Sequence, residues 1–301
     1  MSDGALISNQ LFSNIKEPNK IVPLLIGTGK NIIYWDGQKA TSVFKTKNRA
    51  YGITWNRDHV FVAIGRENKI FVFDKNFEEV DIISLSGSRS DLHQALWYGN
   101  KLYAVDANHA SLIRYDGKEN RLDWKQERFC EKDDKPHINS IWCDGQFFYI
   151  VEHWKYKLPK KIRIFNLQWQ CVDVLEIEKS IFTDQVNGIH NVYKENDVLY
   201  TLGPEMFIQI DLHKTIAHRI TGPWQCYLRG LARTDNRFYI GMSKFIAVRS
   251  ARIKGESAFM VLDDNLNAMQ ITVLENTGEV YEIRALKGDK AHNGIDCPFQ
   301  G

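Results

Sequence analysis

Six side chains of chemically useful types recur at one position of a repeated sequence unit. They are Tyr51, His93, His137, His190, Arg229 and Glu282. Three imidazoles and a carboxylate that converge on one point are a reasonable ligand set for a divalent metal ion such as zinc, iron, manganese or nickel. Such an ion could activate water or polarise a carbonyl group. We therefore expect His93, His137, His190 and Glu282 to hold a divalent metal.

The other two residues of this set have chemistry of their own. Arg229 could clamp a substrate carboxylate or phosphate in bidentate fashion, and Tyr51 could donate a proton. Four further polar side chains lie near these positions or in the chain that follows them, and we expect them to contact a substrate: Gln94, Asn139, Asn191 and His292. The alignment of the third unit leaves His137 and Asn139 as alternatives, and strand periodicity puts both on one face.

A plainer interpretation of these residues stands beside the chemical one. If the repeated position lines a channel, polar residues are expected there without any function, because such channels contain water. A single histidine in such a place is usually solvated or bridged by water. The functional interpretation depends on several residues of different chemical types occurring in register.

The unit that carries these positions is a set of four short strands. Residues 51–85 contain four runs of β-branched and aromatic residues, separated by polar turns. The same order restarts at positions 93, 137, 190 and 229. A period of about 40–50 residues per four-stranded unit is typical of β-propellers.

The two ends of the sequence complete this pattern. Residues 23–46 match strands two, three and four of a unit, and Val280–Leu286 can supply the missing first strand. The sequence therefore predicts an all-β, six-bladed β-propeller closed by its C-terminal inner strand. A seventh blade is left open if residues 242–262 or 153–188 hold further strands. We expect one domain over residues 1–301, with an N-terminal arm at 1–20 and a C-terminal tail at 287–301.

Composition narrows the classes of partner and the compartment. The formal net charge of +2 argues against a dedicated nucleic-acid binder. No run approaches the roughly 18 apolar residues of a membrane helix, and Met1–Ala5 has no signal-peptide character. The five cysteines are widely spaced and odd in number, without a CxxC pair. We expect free thiols in a cytoplasmic protein.

Three blocks near the C-terminus carry a family resemblance. They are Tyr227–Ala232, Phe238–Lys244 and Gly278–Ile283. They resemble the conserved blocks of an uncharacterised bacterial β-propeller family, a conserved domain of unknown function. The resemblance implies a propeller and no particular reaction. The chain departs from the family pattern at Leu228, where proline is usual, and at Glu282, where aspartate is usual.

A weaker likeness involves propeller enzymes. Tyr51–Thr54 and His292–Ile295 are similar to repeats of streptogramin lyases and gluconolactonase-type propellers. Those enzymes use the channel mouth with a divalent metal. The recurrent Trp-Phe-Thr-Glu strand of the lyases is missing here, so their catalytic residues are not carried over.

Two functions from different classes follow from the sequence. The first is a metal-dependent lyase, hydrolase or isomerase that acts on a small polar substrate at the channel mouth. The alternative is a non-catalytic propeller scaffold that binds a glycan or protein partner through loops at 153–160, 182–190 and 242–258. A deep channel mouth lined by the histidines favours the enzyme, whereas a plugged channel with an exposed apolar face favours the scaffold.

Overall fold

Six antiparallel sheets of four strands each make up the part of the chain that the structure describes. The computed structural model describes residues 22–86, 90–123, 137–153, 160–177, 188–211, 214–246 and 251–299. The sheets have the strand orders β24-β1-β2-β3, β4-β5-β6-β7, β8-β9-β10-β11, β12-β13-β14-β15, β16-β17-β18-β19 and β20-β21-β22-β23. We number these sheets blades 1 to 6 in this order. The presence of six such sheets confirms the prediction of a six-bladed propeller.

The strands are short, as the repeated runs in the sequence predict. Their bounds are β1 (Leu24–Thr28), β2 (Asn31–Trp35), β3 (Ala40–Lys45), β4 (Ala50–Trp55), β5 (Val60–Ile64), β6 (Lys69–Phe73), β7 (Glu79–Ser84), β8 (Leu92–Tyr98), β9 (Lys101–Asp106), β10 (Ser111–Tyr115), β11 (Glu119–Asp123), β12 (His137–Cys143), β13 (Phe147–His153), β14 (Lys160–Asn166), β15 (Cys171–Ile177), β16 (His190–Glu195), β17 (Val198–Gly203), β18 (Met206–Ile210), β19 (Thr215–Arg219), β20 (Cys226–Thr234), β21 (Arg237–Lys244), β22 (Ser257–Leu262), β23 (Ala268–Leu274) and β24 (Val280–Ala285). A short 3-10 helix lies at Ala251–Lys254. The described strands within 153–188 and 242–262 belong to blades 4 and 6, so they add no seventh blade.

The first strand of each unit lies next to the first strand of the following unit. Contacts run from β24 to β4, then to β8, β12, β16 and β20, and from β20 back to β24. These six inner strands therefore surround one axis, so residues at equivalent repeat positions come together around it.

The ring is closed by the pairing of β24 with β1. Leu24 pairs with Ala285 and Ile26 pairs with Ile283, in an antiparallel register. Blade 1 thus takes its inner strand from the C-terminal part of the chain and its other three strands from the N-terminal part. This closure leaves no inner sheet edge open to pairing with another chain.

Asx turns connect the two strands of many hairpins. Asn56 Oδ1 accepts hydrogen bonds from the backbone amides of Asp58 and His59 at 2.9 and 2.7 Å. Asp144 Oδ1 does the same for Gln146 and Phe147, at 2.8 Å each. Asparagine and aspartate stabilise such turns because their short side chains satisfy two backbone donors locally.

The hydrophobic core lies between neighbouring blades. Leu24 and Ile26 of blade 1 pack with Tyr239 and Phe259 of blade 6 in one cluster. Other clusters join blades 1 and 2, blades 2 and 3, and blades 3 and 4, and the largest spans blades 4 to 6. The inner strands of a blade are buried on both faces, as β4 and β5 are at every position, whereas the outermost strand β7 is largely exposed. Burial on both faces explains why the inner runs in the sequence are nearly continuous rather than strictly alternating.

The described cysteines are free, as predicted. They are Cys143, Cys171, Cys226 and Cys297, while Cys130 lies outside the described residues. Burial raises the pKa of the thiol to about 11 at Cys143 and to about 12 at Cys226 and Cys297. These three thiols therefore stay protonated and unreactive near neutral pH. Within the described ranges, no helix has the length and apolar character needed to cross a membrane.

Candidate functional site at the channel mouth

A β-bulge interrupts the inner strand of every blade at the same place. The pairing with the second strand skips the following residues: Tyr51, the pair His93 and Gln94, Asn139, Asn191, Gly230 and Tyr281. A bulge adds an unpaired residue and redirects the side chains around it. Six bulges in register thus turn polar and aromatic side chains towards the axis at one end of the channel.

One narrow pocket opens at this end. It is lined by Tyr51, His93, Gln94, Asn139, Ser140, His190, Asn191, Arg229, Tyr281 and Glu282. Its free space takes a group of about the size of one water molecule, so only part of a ligand can enter it. Eight of the ten residues proposed from the sequence line this pocket; Ser140 and Tyr281 were not foreseen.

The floor of the pocket is the fully buried carboxylate of Glu282. Its Oε2 accepts hydrogen bonds from Gln94 Nε2 at 2.9 Å and from Arg284 Nη2 at 3.2 Å. Its Oε1 accepts from Asn191 Nδ2 at 3.3 Å and from the Ile283 amide at 3.2 Å. Burial raises the pKa of Glu282 to about 7, although Arg284 and the hydrogen bond from Gln94 act against this rise.

Arg284 closes the channel below Glu282. Its side chain is buried and donates hydrogen bonds to three backbone carbonyl oxygens, those of Ile53 at 3.2 Å, Leu231 at 3.3 Å and Ala291 at 2.9 Å. Ile53 and Leu231 belong to β4 and β20, the inner strands on either side of β24. The planar guanidinium can do this because its five donors point in fixed directions.

Amide side chains connect the inner strands above this plug. Gln94 accepts a hydrogen bond from the Ile141 amide at 3.0 Å, and Asn191 accepts one from the Gly230 amide at 2.8 Å. Both residues donate to Glu282 at the same time. The carboxylate is therefore held by blades 1, 3 and 5 together, which fixes its position on the axis.

The tautomer of His190 follows from its neighbours. Asn139 Nδ2 donates to the Ile189 carbonyl at 2.7 Å, and Asn139 Oδ1 accepts from Ser140 Oγ at 2.8 Å, which sets the orientation of the amide. The same Nδ2 lies 3.1 Å from His190 Nδ1, which must then be the acceptor. In the neutral ring the proton is on Nε2, so His190 is a hydrogen-bond donor through that atom.

Aromatic rings form one side of the mouth. Tyr51 stacks on His93 with centroids 4.2 Å apart and an interplanar angle of 11°, and Tyr281 meets Tyr51 at 4.5 Å. His137 lies edge-on to His93 at 5.0 Å but does not line the pocket. Stacking fixes the planes of these rings without using their polar atoms.

Arg229 stands at the mouth between two tyrosine rings. Its guanidinium carbon lies 5.3 Å from the Tyr281 centroid and 5.8 Å from that of Tyr227. Its nearest described carboxylate oxygen is Oε2 of Glu279, at 3.9 Å, which is too long for a hydrogen bond. Its buried Nε has no hydrogen-bond partner among the described residues.

His292 lies at the other end of the channel, away from the predicted substrate site. Its Nε2 is 2.7 Å from Thr54 Oγ1, and its ring packs on Trp55 at 4.1 Å. The tail that carries it also accepts a hydrogen bond from Trp55 Nε1, through the Ile295 carbonyl at 2.7 Å. Burial lowers the pKa of His292 well below its usual value, and the charge of Arg284 adds to this effect.

The predicted metal ligands do not form a metal-binding geometry in this structure. Within the described part of the chain, no three His, Cys, Asp or Glu side chains come close enough together to share one ion. Both oxygens of Glu282 accept hydrogen bonds, and one of them contacts the guanidinium of Arg284. A carboxylate held in this way is a poor ligand for a cation, so no chemical step is assigned to a metal.

Comparison with known proteins identifies the fold and nothing finer. No protein-family model matches the chain, and no curated protein matches its sequence. A chain in the crystal structure of a nidogen/laminin complex superposes with a TM-score of 0.65 at 10% identity, over 88% of this chain and 99% of that one. A protein of unknown function from Bacteroides caccae superposes with a TM-score of 0.62 at 10% identity, over 87% and 98%. The propeller that the sequence resemblance implied is confirmed.

Proposed function

We propose that the channel mouth binds a small polar molecule through an anionic group, with Arg229 as the anchoring residue. The observation that carries this proposal is the state of Arg229: a guanidinium stacked between two tyrosines, at a pocket wall, whose buried Nε lacks a described partner. An unsatisfied buried donor costs free energy, and a carboxylate or phosphate oxygen would remove that cost.

The rest of the pocket supports the same ligand chemistry. His190 adds a donor through Nε2, as its contact with Asn139 requires. The Tyr51 hydroxyl, which accepts a weak hydrogen bond from Arg49 at 3.4 Å, lies at the same mouth. Glu282 can exchange a proton near neutral pH, because its pKa is about 7. If the bound molecule reacts, Glu282 is the candidate for moving its proton.

The experiment is a binding screen of small carboxylates and phosphates by ligand-observed NMR. We expect some of these compounds to show a binding signal with the wild type. That binding signal should be lost with the Arg229→Gln variant and weakened with the His190→Phe variant. The matched control is Arg219→Gln, because Arg219 is 80% exposed on an outer strand and pairs with Glu205. Equal binding by Arg229→Gln and the control would contradict the proposal.

That the protein is a metal-dependent enzyme remains a prediction made from the sequence. Metal analysis of the purified protein tests it, together with the double variant His93→Ala, His190→Ala. A stoichiometric metal that is lost in the double variant would support it. Metal content that does not change would remove these histidines as ligands, without affecting the anion-binding proposal.

A scaffold that binds a glycan or protein partner is the second candidate. One propeller of similar fold comes from a nidogen/laminin complex, which favours a protein partner within this class. The exposed large apolar side chains of the described residues are Val80, Leu167, Val172 and Val273, on three different blades, so they form no single apolar surface. The Arg229→Gln variant should still bind a partner that docks on a face of the ring, whereas it should lose the small anionic ligand. This difference separates the two candidate functions.

A further inference from the structure

The carboxylate at the floor of the pocket has its acceptor positions filled by the protein itself. A carboxylate offers about four lone-pair positions. Each oxygen of Glu282 accepts two hydrogen bonds, and the four donors are Gln94, Arg284, Asn191 and the Ile283 amide. A ligand group that enters the pocket therefore finds no acceptor in Glu282. If Glu282 takes up a proton, its hydroxyl becomes a donor, which adds no acceptor either.

The two amide side chains beside Glu282 turn their nitrogens towards it and their oxygens towards neighbouring inner strands. Gln94 Oε1 accepts from the Ile141 amide at 3.0 Å, and Asn191 Oδ1 accepts from the Gly230 amide at 2.8 Å. Each side-chain nitrogen carries two hydrogens and gives one of them to Glu282. The second hydrogen of each has no acceptor among the described residues. Because both side chains line the pocket, these two hydrogens are available to a ligand.

Other side chains of the same pocket add donors. Arg229 Nε is buried and has no partner among the described residues. The Tyr51 hydroxyl accepts a weak hydrogen bond at 3.4 Å, so its own hydrogen remains to be donated. The Ser140 hydroxyl is already used in both directions, since it donates to Asn139 Oδ1 and accepts from the Asn191 amide, at 2.8 Å each. The pocket thus offers a ligand mainly hydrogen-bond donors.

These donors and the charges at the floor indicate which chemical group fits behind Arg229. A hydroxyl or ammonium group would bury a hydrogen that finds no acceptor at Glu282, which costs free energy. The pair of Glu282 and Arg284 is neutral overall when both are ionised, so the floor gives no net positive charge to a second anionic group. An uncharged oxygen that only accepts hydrogen bonds avoids both costs. A carbonyl oxygen is such a group, and it is small enough for a space of about the size of one water molecule.

We propose that the ligand of the channel mouth is a 2-oxo acid, whose carboxylate is bound by Arg229 and whose carbonyl oxygen accepts hydrogen bonds from Gln94 and Asn191. This inference rests on the proposed function and names the ligand class of the same site. In a 2-oxo acid the carboxylate and the carbonyl group are on adjacent carbon atoms. That short spacing suits the site, because Arg229, Gln94 and Asn191 all line one pocket that has room for a single small group.

The test compares pyruvate, L-lactate, D-lactate and acetate by isothermal titration calorimetry with the wild type. Each of these anions carries one negative charge near neutral pH, so the contribution of Arg229 is common to all four. They differ in the group next to the carboxylate, which is a carbonyl in pyruvate, a hydroxyl in both lactates and a methyl in acetate. We expect pyruvate to bind about tenfold more tightly than each of the other three, because its oxygen alone matches the donors without burying a hydrogen.

Two nearly isosteric variants test the amide donors. Gln94→Glu and Asn191→Asp each keep the oxygen that accepts from the backbone but lose the spare hydrogen. We expect the preference for pyruvate over acetate to fall from about tenfold to about twofold or less in each variant. This ratio is the readout because any added charge weakens both anions alike. Gln38→Glu, the same change at an exposed residue, should keep the wild-type ratio. Circular dichroism checks that each variant folds, and the wild-type comparison decides the proposal if one does not.

The outcomes separate this inference from the proposed function. If either lactate or acetate binds the wild type as tightly as pyruvate, the 2-oxo acid assignment is wrong, and loss of their binding in Arg229→Gln would still support the anion site. A preference for pyruvate that survives both Gln94→Glu and Asn191→Asp would also overturn the assignment, because the amides would not be its donors. If a phosphate binds but no carboxylate does, only the 2-oxo acid assignment is wrong. If no anion binds, or if Arg229→Gln binds anions as the wild type does, both proposals are wrong.

Discussion

Glu282 and Arg284 project from the same face of β24, and Arg284 Nη2 lies 3.2 Å from Glu282 Oε2 on the axis of the ring. Residues two apart on a strand share a face, so the ion pair follows directly from the strand. Both side chains are nearly inaccessible to water. Their pairing joins the floor of the pocket to the plug beneath it, and we therefore expect the two residues to be strongly coupled energetically.

A double-mutant cycle measures this coupling. We expect Glu282→Leu and Arg284→Met each to lower the free energy of unfolding by about 3–5 kcal/mol, because each leaves a buried charge without its partner. The double variant should lose clearly less than the sum of the two single losses. Urea unfolding gives all four values. Additive losses would show that the two side chains act independently.

Gly230 provides a test of the bulge in blade 6. Its φ is +80°, and a Cβ there would lie 2.7 Å from the Ile283 amide nitrogen and 2.8 Å from the Glu282 carbonyl carbon. Gly145 is the matched control, with a φ of +96° and nothing within 4 Å.

We expect Gly145→Ala to cost about 1–2 kcal/mol from backbone strain alone. Gly230→Ala should cost at least about 2 kcal/mol more, because β20 and β24 must also move apart. Chemical unfolding of both variants checks this difference. Equal costs would mean that the close approach of the two strands is readily relieved.

His292 gives a pH-dependent prediction. Burial keeps its folded pKa well below 6.5, whereas in the unfolded chain it binds a proton below about pH 6.5. The unfolded state therefore holds more protons in that range, and the contribution of His292 to stability is lost as the pH falls from about 6.5 towards its folded pKa.

The variant His292→Gln removes this titration while keeping a group that can hydrogen-bond to Thr54. We expect its stability relative to the wild type to rise as the pH falls from 7.5 to 5, with a slope of up to about 1.4 kcal/mol per pH unit. Urea unfolding at several pH values measures the difference, in which the contributions of the other titrating groups cancel. A difference independent of pH would contradict the assignment.

Two truncations separate the closing strand from the tail. A chain that stops after Gly278 lacks β24, so β1 becomes an open edge and Leu24 and Ile26 lose the strand that covers them. We expect it to aggregate. A chain that stops after Leu286 keeps every described strand but loses Asp289, which accepts hydrogen bonds from the amides of Ala285 and Arg233 at 3.0 and 3.1 Å.

This second chain should remain folded with lower stability. Size-exclusion chromatography and circular dichroism distinguish the two results. If the chain that stops after Gly278 were monomeric and as stable as the longer one, ring closure by β24 would not matter for folding.

The repeat in the sequence predicted the blades and the strands that meet on the axis, because side-chain alternation and turn residues are local signals. The repeat also predicted that five of its equivalent residues come together, and all five line the pocket: Tyr51, His93, His190, Arg229 and Glu282. The six bulges could not be predicted, since they depend on the register between two strands. His292 was misplaced for a related reason: it lies in the tail, outside the repeat, where spacing carries no positional information.

The charged residues around Arg229 and Tyr281, which are Glu279, Arg252 and Arg49, were missed because they occupy repeat positions different from that of Arg229. Glu279 precedes β24, Arg252 is in the segment between β21 and β22, and Arg49 precedes β4. Only the folded ring brings them together. A useful signal was nonetheless present in the sequence: Tyr227 and Arg229 are two residues apart on β20, and residues at that spacing share a face of a strand.

Because β24 is synthesised after all the other described strands, the pocket cannot exist on a growing polypeptide. Until residues 280–285 emerge from the ribosome and pair with β1, the growing chain has five complete blades and a sixth sheet that lacks its inner strand. Since those residues include the floor of the pocket, occupancy by a ligand would favour only molecules whose ring is already joined.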